Sequence, residues 1–299
     1  MAAPFRRPPE LPPWLAAAMP FERRAIEVGG RTLHFVDHGD GPPVLLVHGN
    51  PTWSFLWRKI IRGLAGYRVI APDLLGFGLS DKPRSVAFHT VDAHVAHLRG
   101  LIDALDLDRW IVVGQDWGGP LSCGVARHLD DRGRLHGMVL ANTAVLPARR
   151  PVRATGFHRF SHLPLLSEAA FVGLGFPIPV MARAQHDPSS IGAPELRGYA
   201  WPFRRLRDRV GPLALARMVP HCDAHPSLPA LDAIGRWVEG WRGPAALVWG
   251  TSDPILGRGA RRLSAAWPQA DLVETAAGHF LQEEVPELLV DAIRRVRAA

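Results

Sequence analysis

The sequence is short of cysteine, lysine and long apolar runs. Its two cysteines, Cys123 and Cys222, are too few for a disulfide framework, and Cys123 falls in an apolar stretch typical of a buried, inert thiol. Because no run of about 18 uncharged apolar residues occurs, no membrane span is expected. The first residues also lack the apolar segment of a signal peptide, so we expect a cytoplasmic protein with no membrane partner.

Arginine supplies almost all of the positive charge. Lys59 and Lys82 are the only lysines, yet the formal net charge is +7. Such a charge raises the question of a nucleic-acid partner. The arginines, however, are scattered among acidic residues or alternate with apolar ones, as in the runs 204–207 and 294–297. That distribution is typical of solvated helix faces, so no nucleic-acid partner is expected.

Apolar strands alternate with helical patterns along most of the 299 residues. The pattern predicts strands at 31–38, 43–48, 68–72, 110–115, 137–142, 245–250 and 271–275, and helices at 53–65, 90–106, 118–130, 227–241, 257–266 and 281–297. We therefore expect an α/β fold with a mostly parallel central sheet and helices on both faces. The Pro-rich first 20 residues are predicted to run over the surface as an extended arm.

The regular alternation stops between residues 146 and 225, where 10 prolines interrupt the chain. This density of proline favours short helices over buried strands. We expect a helical cap at 146–225, inserted into a core formed by residues 1–145 and 226–299. A cap of this kind excludes water and shapes a pocket. Its apolar residues either line that pocket or, more simply, hold the cap together: Phe157, Phe160, Leu165, Phe171, Leu174 and Phe176.

One segment combines a strand, a turn and a helical stretch around Asp116. The strand 110–115 leads into Gly114-Gln115-Asp116-Trp117-Gly118, and an apolar helical pattern follows. This is the context of a nucleophile elbow with aspartate in the place of serine, although an aspartate before a helix more commonly caps it. A carboxylate is already anionic at neutral pH, so it needs no base to attack an sp³ carbon or a strained ring.

Two more polar residues follow apolar strands later in the chain. Asp253 comes after the strand 245–250, and His279 comes after the strand 271–275. Because the carboxyl ends of parallel strands meet at one edge of a sheet, we expect Asp116, Asp253 and His279 to lie close together. Nucleophile, acid and histidine is also the chain order of the α/β-hydrolase triad.

The motifs in combination resemble those of the haloalkane dehalogenases of the α/β-hydrolase superfamily. They are His48-Gly49-Asn50-Pro51-Thr52-Trp53, Ala71-Pro72-Asp73-Leu74-Leu75-Gly76-Phe77-Gly78 and Gln115-Asp116-Trp117-Gly118-Gly119. The similarity extends from about residue 20 to the end and is weakest between about 146 and 225. Within that family, the pattern is similar to the branch with an Asp-His-Asp triad and an Asn–Trp halide pair, and the resemblance implies an α/β-hydrolase fold with an inserted helical cap.

The resemblance also implies a role for each site residue. Asp116 attacks the carbon that carries a halogen and forms an alkyl ester, His279 deprotonates the water that hydrolyses this ester, and Asp253 orients His279. The backbone N–H groups of Asn50 and Trp117 form the oxyanion hole, and their side chains hold the halide. The implied partners are a small apolar halogenated substrate, water and a halide ion.

Two positions depart from parts of the family. Asn142, at the end of the strand 137–142, stands where some members carry the acid, and an amide supplies no negative charge, so Asp253 is favoured. Some members also bind halide through a second tryptophan in the cap. Trp201 is the only tryptophan between 146 and 225, and it is predicted to serve packing.

Three other functions stay open at the level of sequence. A β-lactone decarboxylase shares the branch and its motif residues. An epoxide hydrolase uses the same aspartate and histidine but needs two cap tyrosines, whereas Tyr199 is the only tyrosine in the cap segment. A ligand-binding receptor on a retained hydrolase fold is disfavoured by the intact triad.

No metal or nucleotide cofactor is expected. Gly76-Phe77-Gly78 lacks the third glycine of a dinucleotide-binding loop, and the 14 histidines show none of the usual zinc-binding spacings. His48 is predicted to have a structural role in its turn, and His94 and His97 are predicted on a helix surface. The other histidines considered are predicted to be ordinary surface or cap residues: His89, His128, His136, His158, His162, His186, His221 and His225.

Overall fold

A central eight-stranded sheet organises the protein, seen in a computed structural model that describes residues 5–153 and 155–299. The strand order is β1-β2-β4-β3-β5-β6-β7-β8. The strands are β1 (Arg23–Val28), β2 (Arg31–His38), β3 (Pro43–Val47), β4 (Arg68–Pro72), β5 (Trp110–Gln115), β6 (Leu135–Ala141), β7 (Ala245–Gly250) and β8 (Asp271–Thr275). All seven predicted strands are confirmed; β1 is additional.

Strand direction follows the prediction of a mostly parallel sheet. Only β1 with β2 and β2 with β4 pair antiparallel, while β4, β3, β5, β6, β7 and β8 run parallel. The inner parallel strands β3, β5 and β7 are fully buried, as their unbroken apolar runs require, whereas β8 at the edge of the sheet is partly exposed. Leu45 lies opposite Val112 and Leu140 lies opposite Leu247, and all four side chains are fully buried. Each such burial contributes about 2 kcal/mol.

Helices follow the strands of the core. They are α1 (Pro13–Ala18), α2 (Arg58–Gly63), α3 (Val91–Leu105), α4 (Gly118–Asp130), α9 (Leu228–Gly240), α10 (Ala260–Ala266), α11 (Leu281–Glu284) and α12 (Pro286–Ala298), with α5 to α8 between β6 and β7 as given below. The predicted helices agree with these bounds to within two residues, except that a 3₁₀ turn at 54–57 precedes α2, α10 begins three residues later than predicted and the last helix is divided at Val285. None of the described helices is long and apolar enough to cross a membrane.

The start of the chain differs from the predicted extended arm. Residues 13–18 form α1, and Leu15 of this helix is fully buried in the main core. Proline at the first helical position is favourable because its missing N–H would have no partner there. The arm is extended only before this helix, where Arg6 pairs with Ala25 of β1. The first four residues of the predicted arm lie outside the described part of the chain.

The described residues between β6 and β7 form short helices instead of strands. The α-helices are α5 (Gly156–Ser161), α6 (Leu166–Glu168), α7 (Ala193–Ala200) and α8 (Val210–Met218), joined by 3₁₀ and π turns at 169–173, 178–184, 188–190, 201–203 and 206–208. This content agrees with the helical character predicted from the prolines. The exact division into core and cap at residues 146 and 225 stays a prediction.

The apolar residues of this segment behave in two ways. Phe160 and Phe176 pack around fully buried Phe171 in a small cluster of their own. Leu165 and Leu174 instead lie on the surface, where they are 83% and 78% exposed. The aromatic residues therefore hold the segment together, and the possibility that the two leucines line a pocket is wrong.

Candidate active site

A strained turn places Asp116 at the centre of the sheet edge. Asp116 follows β5 and directly precedes α4, with a positive φ of 52° that non-glycine residues rarely adopt. The neighbouring glycines make this turn possible. A Cβ on Gly118 would collide with the carbonyl oxygen of Val47, and a Cβ on Gly114 would collide with Ser122 and Gly118. The predicted nucleophile elbow is therefore formed.

Hydrogen bonds from the neighbouring strand fix the turn. The amide of Asp116 donates to the carbonyl oxygen of Asn142 at 3.1 Å, and the hydroxyl of Thr143 donates to the carbonyl oxygen of Asp116 at 2.7 Å. The amide of Gly119 donates to that same carbonyl oxygen at 3.0 Å. Because its backbone groups are paired in this way, the strained conformation of Asp116 is held on a rigid support.

The two carboxylate oxygens of Asp116 have different surroundings. Oδ1 accepts the backbone N–H of Asn50 at 2.7 Å, and the backbone N–H of Trp117 also hydrogen-bonds to this carboxylate. Oδ2 lies 3.7 Å from Nε2 of His279. One oxygen is thus held by a backbone donor, whereas the other faces the histidine. The predicted pair of backbone donors, Asn50 and Trp117, does converge on Asp116.

His279 and Asp253 form a buried pair beside this carboxylate. Nδ1 of His279 lies 2.8 Å from Oδ2 of Asp253, and the ring is 1% exposed. The side-chain amide of Gln115 donates to the carbonyl oxygen of His279 at 3.0 Å and lies 3.3 Å from its Nε2. Since the amide nitrogen can only donate, this arrangement favours a proton on Nδ1, directed at Asp253, and a lone pair on Nε2 that faces the Gln115 amide.

Both oxygens of Asp253 are engaged. Oδ2 accepts the Asn142 side-chain amide at 2.7 Å as well as the histidine, and Oδ1 accepts the backbone N–H of Ile255 at 2.7 Å. Asn142 is further tied to Gly250 by two hydrogen bonds, of 2.7 and 3.0 Å. Asn142 is therefore a positioning residue for Asp253, in agreement with the prediction that it is not itself the acid partner of His279.

Charge and burial shift the pKa of each triad member. Burial raises the pKa of Asp116 above its usual value, and the nearby His279 and backbone N–H groups offset only part of this increase. For His279, burial lowers the pKa, but the carboxylates of Asp253 and Asp116 outweigh it and the net shift is upward. For Asp253, burial raises the pKa, but His279 and Asn142 outweigh this effect and the pKa lies below its usual value. Asp253 is therefore an anion at neutral pH.

The side chain of Asn50 connects this site to α8. Its Nδ2 donates one hydrogen to the carbonyl oxygen of Pro212 at 3.0 Å, and its Oδ1 is buried without a hydrogen-bond partner. An amide nitrogen carries two hydrogens, so one remains for a ligand. Trp117 is 8% exposed at the start of α4, next to Asp116. The segment between β6 and β7 thus reaches the edge of the sheet that carries Asp116.

Sequence reasoning missed Gln115 and the positive role of Asn142. Both residues stand at the carboxyl end of a strand, Gln115 on β5 and Asn142 just after β6. The same rule that selected Asp116, Asp253 and His279 could therefore have selected them. What the sequence does not contain is the distance from the Gln115 amide to His279, which depends on strand register.

Several histidines differ from their predicted surroundings. His48 agrees with its structural prediction, because its Nδ1 lies 2.9 Å from the carbonyl oxygen of Gly49 and its Nε2 accepts the amide of Leu74. The prediction of surface or cap positions is wrong for His89, His94 and His128, which are 3%, 2% and 4% exposed. Each ring packs inward against another element, a relationship that helical spacing alone does not contain.

Trp201 packs on the main core as predicted. It is half-buried at the end of α7, and the guanidinium of Arg204 lies 4.3 Å from its ring centroid. The ring therefore has a packing role. This contact supports its exclusion from the set of halide-binding candidates.

The sheet order, the aspartate elbow and the buried His279–Asp253 pair define an α/β hydrolase. A family model described as alpha/beta hydrolase fold matches residues 42–286. Haloalkane dehalogenase 2 of Mycobacterium tuberculosis is 37% identical over 92% of this chain and 94% of its own length. The haloalkane dehalogenase of Mycobacterium marinum is 37% identical over 86% of each chain.

Solved structures agree with the sequence relatives. The structure of haloalkane dehalogenase DpaA from Paraglaciecola agarilytica superposes with a TM-score of 0.79 at 28% identity, covering 97% of this chain and 98% of that one. Haloalkane dehalogenase DbeA from Bradyrhizobium gives a TM-score of 0.80 at 25% identity, covering 93% and 99%. This chain belongs to the haloalkane dehalogenase family.

Proposed function

We propose that the protein is a hydrolytic dehalogenase, which cleaves the carbon–halogen bond of small haloalkanes through an ester on Asp116 and gives an alcohol, a halide and a proton. The observation that carries this proposal is the unequal environment of the two Asp116 oxygens. Oδ1 is held by the Asn50 backbone N–H, while Oδ2 stands on the histidine side at 3.7 Å. The named activity of the close relatives supports the same reaction.

In the first step, Oδ2 of Asp116 attacks the carbon that bears the halogen, and the electron pair of the breaking bond leaves with the halide. A departing halide needs hydrogen-bond donors and no proton. The free hydrogen on Nδ2 of Asn50 and the indole N–H of Trp117 are the donors we assign to it. Both residues flank Asp116, so stabilisation acts where the negative charge develops.

In the second step, His279 takes a proton from a water molecule that attacks the ester carbon of Asp116. Negative charge then develops on Oδ1, the oxygen already held by the backbone N–H of Asn50. Asp253 stabilises the imidazolium that forms, as its buried contact of 2.8 Å requires. Collapse of this intermediate breaks the bond between Cγ and Oδ2 of Asp116, and the imidazolium returns its proton to the leaving oxygen, so the alcohol keeps Oδ2 as its oxygen atom. The carboxyl group left on Asp116 carries the oxygen of the water and loses its proton to solvent.

Esterification also prepares His279 for its role as a base. In the free protein, the charges of Asp253 and Asp116 both raise the pKa of His279. An ester on Asp116 carries no charge, so one of these two causes disappears when the first step is complete. The pKa of His279 therefore falls on alkylation, and the fraction of neutral imidazole increases when a base is needed.

This shift predicts different pH dependences for the two steps. A base must be unprotonated, so the alkylated protein hydrolyses its ester at full rate only when the pH is above the pKa that His279 has in this form. The rate of hydrolysis is lost as the pH falls below that pKa. Alkylation needs only the Asp116 anion, so it should persist to lower pH. Rapid-quench kinetics from pH 4 to 9 measure both rates, and NMR titration gives the His279 midpoint of the free protein, which we expect above its ordinary 6.5.

The hydrolysis midpoint should lie below the free-protein midpoint of His279. A common acid limb for alkylation and hydrolysis would contradict the assignment, because it would mean that His279 acts in the first step as well. Control rates with Asp131→Ala, an exposed residue at the end of α4, should follow the unmodified protein at every pH.

A second prediction concerns the halide donors. Chloride or bromide should quench tryptophan fluorescence, and Trp117→Phe should abolish that response because the indole N–H is lost. Carbon–bromine bonds break more easily than carbon–chlorine bonds, so with two donors we expect bromides and iodides to be preferred over chlorides. Trp117→Phe should reduce halide release from chlorides by a larger factor than release from bromides.

Trp201→Phe is the matched control for this experiment, because Trp201 is a partly buried tryptophan that packs on the main core and against Arg204. Its variant should keep the halide response. A protein that shows no halide response and releases no halide, but converts a cis-β-lactone into an alkene, would replace the dehalogenase proposal with a decarboxylase.

The epoxide hydrolase alternative is disfavoured by the position of its required acid. Tyr199, the only tyrosine between 146 and 225, is fully buried and donates its hydroxyl to Glu283 at 2.6 Å. Burial and the negative charge of Glu283 raise its pKa well above the usual value. The hydroxyl proton of Tyr199 is already donated to Glu283, so it is not available to protonate an epoxide oxygen. The cytoplasmic location expected from the sequence stays a prediction.

A further inference from the structure

Three histidines meet between α5 and the connection from α8 to α9, in the segment that precedes β7. His162 follows α5, while His221 and His225 lie in the connection between Met218 and Leu228. The ring centroids of His162 and His221 are 4.1 Å apart, those of His221 and His225 are 5.0 Å apart, and the third separation is 6.3 Å. We call these residues the histidine trio.

The nitrogens of the trio are poorly satisfied by the protein. Nε2 of His162 and Nδ1 of His221 are buried and have no hydrogen-bond partner. Buried ring nitrogens normally find a partner, so two unpartnered ones beside each other are unusual. One potential ligand atom from each ring lies within 4.8 Å of the other two. Three imidazoles this close together, two of them with an unpartnered buried nitrogen, have the geometry of a metal-binding cluster.

His225 already has the outer contact expected of a metal ligand. Its Nε2 lies 3.0 Å from the carbonyl oxygen of Arg217, and a carbonyl oxygen can only accept, so the proton is on Nε2 and the lone pair is on Nδ1. Metal-binding histidines commonly donate their second nitrogen to a backbone carbonyl in this way. Nδ1 now accepts only a long hydrogen bond of 3.2 Å from the amide of Ser227.

Charge around the trio permits a cation. Arg217 is the fixed positive charge nearby, and its guanidinium is paired with the carboxylate of Glu168 and bound to Ser167. The arginine charge is therefore compensated before a metal arrives.

We propose that the histidine trio binds a divalent transition-metal ion, with Zn²⁺ as the representative, and that water completes its coordination. Three imidazoles without a carboxylate suit zinc, copper or nickel and do not suit Mg²⁺ or Ca²⁺. Tetrahedral zinc with Zn–N bonds of about 2.0–2.1 Å needs ligand nitrogens about 3.3 Å apart. The present separations lie within 4.8 Å, so metal binding must draw the nitrogens closer by up to about 1.5 Å.

A metal ion at this position would cross-link two segments that are far apart in the sequence. The metal would tie the end of α5 to the connection after α8, the same helix whose Pro212 carbonyl contacts Asn50 of the active site. The inference does not rest on the proposed function, because the trio contains none of the triad residues. It predicts that Zn²⁺ stabilises the folded protein whether or not the protein dehalogenates.

The test uses untagged full-length protein, stripped with a chelator and titrated with ZnCl₂ by calorimetry and with CoCl₂ by visible absorption. We expect one ion per chain and the intense absorption of tetrahedral Co²⁺. Zn²⁺ at 100 times its Kd should raise Tm by about 5 °C. Mg²⁺ at the same concentration should not change Tm.

Variants separate the trio from its surroundings. His162→Ala and His221→Ala should each weaken Zn²⁺ binding by at least about tenfold and remove the Co²⁺ band, since each removes a ligand. His158→Ala removes an imidazole from the same helix α5, and Cys222→Ser removes the exposed thiol beside His221. Both controls should bind Zn²⁺ like the unmodified protein.

The outcomes decide the proposal in either direction. Full Zn²⁺ binding by His162→Ala and His221→Ala would overturn it, as would equal losses in the His158→Ala or Cys222→Ser controls. Tm measured without metal shows whether a variant has simply unfolded. His162→Gln provides a second variant that keeps a polar group of similar reach, and it should also lose the Co²⁺ band while retaining the metal-free Tm.

Discussion

Asp116→Ala is expected to reduce kcat for 1-bromoalkanes by about 10⁶-fold, the scale on which removal of a covalent nucleophile acts. No other carboxylate of the site can replace it. Asp253 is held by His279, Asn142 and the amide of Ile255, and it lies on the far side of the imidazole. Halide release by the variant, followed with an ion-selective electrode, measures this loss.

Asp131→Ala is the matched control for the nucleophile. Asp131 caps the far end of α4, the helix that Asp116 precedes, and its side chain is exposed. Activity should be unchanged in this variant, and both variants should keep the Tm of the unmodified protein to within a few degrees. Substantial turnover by Asp116→Ala would require a different nucleophile.

Asp253→Asn should reduce kcat by about 10⁴-fold, with a much smaller effect on alkylation. Both oxygens of Asp253 accept N–H donors, from His279 and Asn142 at Oδ2 and from Ile255 at Oδ1. In the variant, the asparagine NH₂ group replaces one of these oxygens, so an N–H donor faces another N–H donor and that hydrogen bond is lost. The variant also loses the anion that stabilises the imidazolium, which forms only during ester hydrolysis.

Pre-steady-state kinetics distinguish this prediction from a general loss of activity. Asp253→Asn should release one halide per active site in a rapid burst and then continue only at the slow rate of ester hydrolysis, because the ester accumulates. Asn142→Ala, which removes a neutral hydrogen bond to Asp253, should reduce hydrolysis by a smaller factor. If Asn142→Ala proves the more damaging change, Asp253 is not the acid partner.

The sequence predicts the catalytic edge of the sheet because strand ends determine it. β3, β5 and β7 are apolar runs that can be recognised without a structure, and β8 is a short strand with Leu272 and Val273 at its centre. The residues that follow these four strands are Asn50, Asp116, Asp253 and His279. The carboxyl ends of parallel strands lie at the same edge of the sheet, and this does not depend on the conformation of the loops. Their roles in catalysis stay predictions until a variant is measured.

The sequence analysis does not predict edge strand β1, and this omission has a physical reason. Its sequence carries Arg23, Arg24 and Glu27 among the apolar residues, and one edge of the strand has no regular neighbour in the described sheet. Charged residues protect such edges from unwanted pairing. Its stability depends on distant partners, such as the ion pair of Arg24 with Asp37 of β2, and a local pattern does not contain these.

The histidine trio shows the same limit. His162 and His221 are separated by 59 positions in the sequence and belong to different helical connections, so no spacing rule for metal ligands applies. Likewise, His94 is buried because its ring meets His89, at 3.2 Å between the ring nitrogens, in the interior. Three-dimensional packing of short helices determines both arrangements, and periodicity within one helix cannot predict them.

The measurement that tests the central claim most directly is mass spectrometry of His279→Gln after incubation with 1-bromobutane. Glutamine keeps a donor for Asp253 but cannot act as a base, so the ester on Asp116 should persist. We expect one bromide released per chain and the mass of one butyl group, in place of a proton, on the peptide that contains Asp116. A butyl group on another residue, or bromide release that leaves the protein unmodified, would contradict the account.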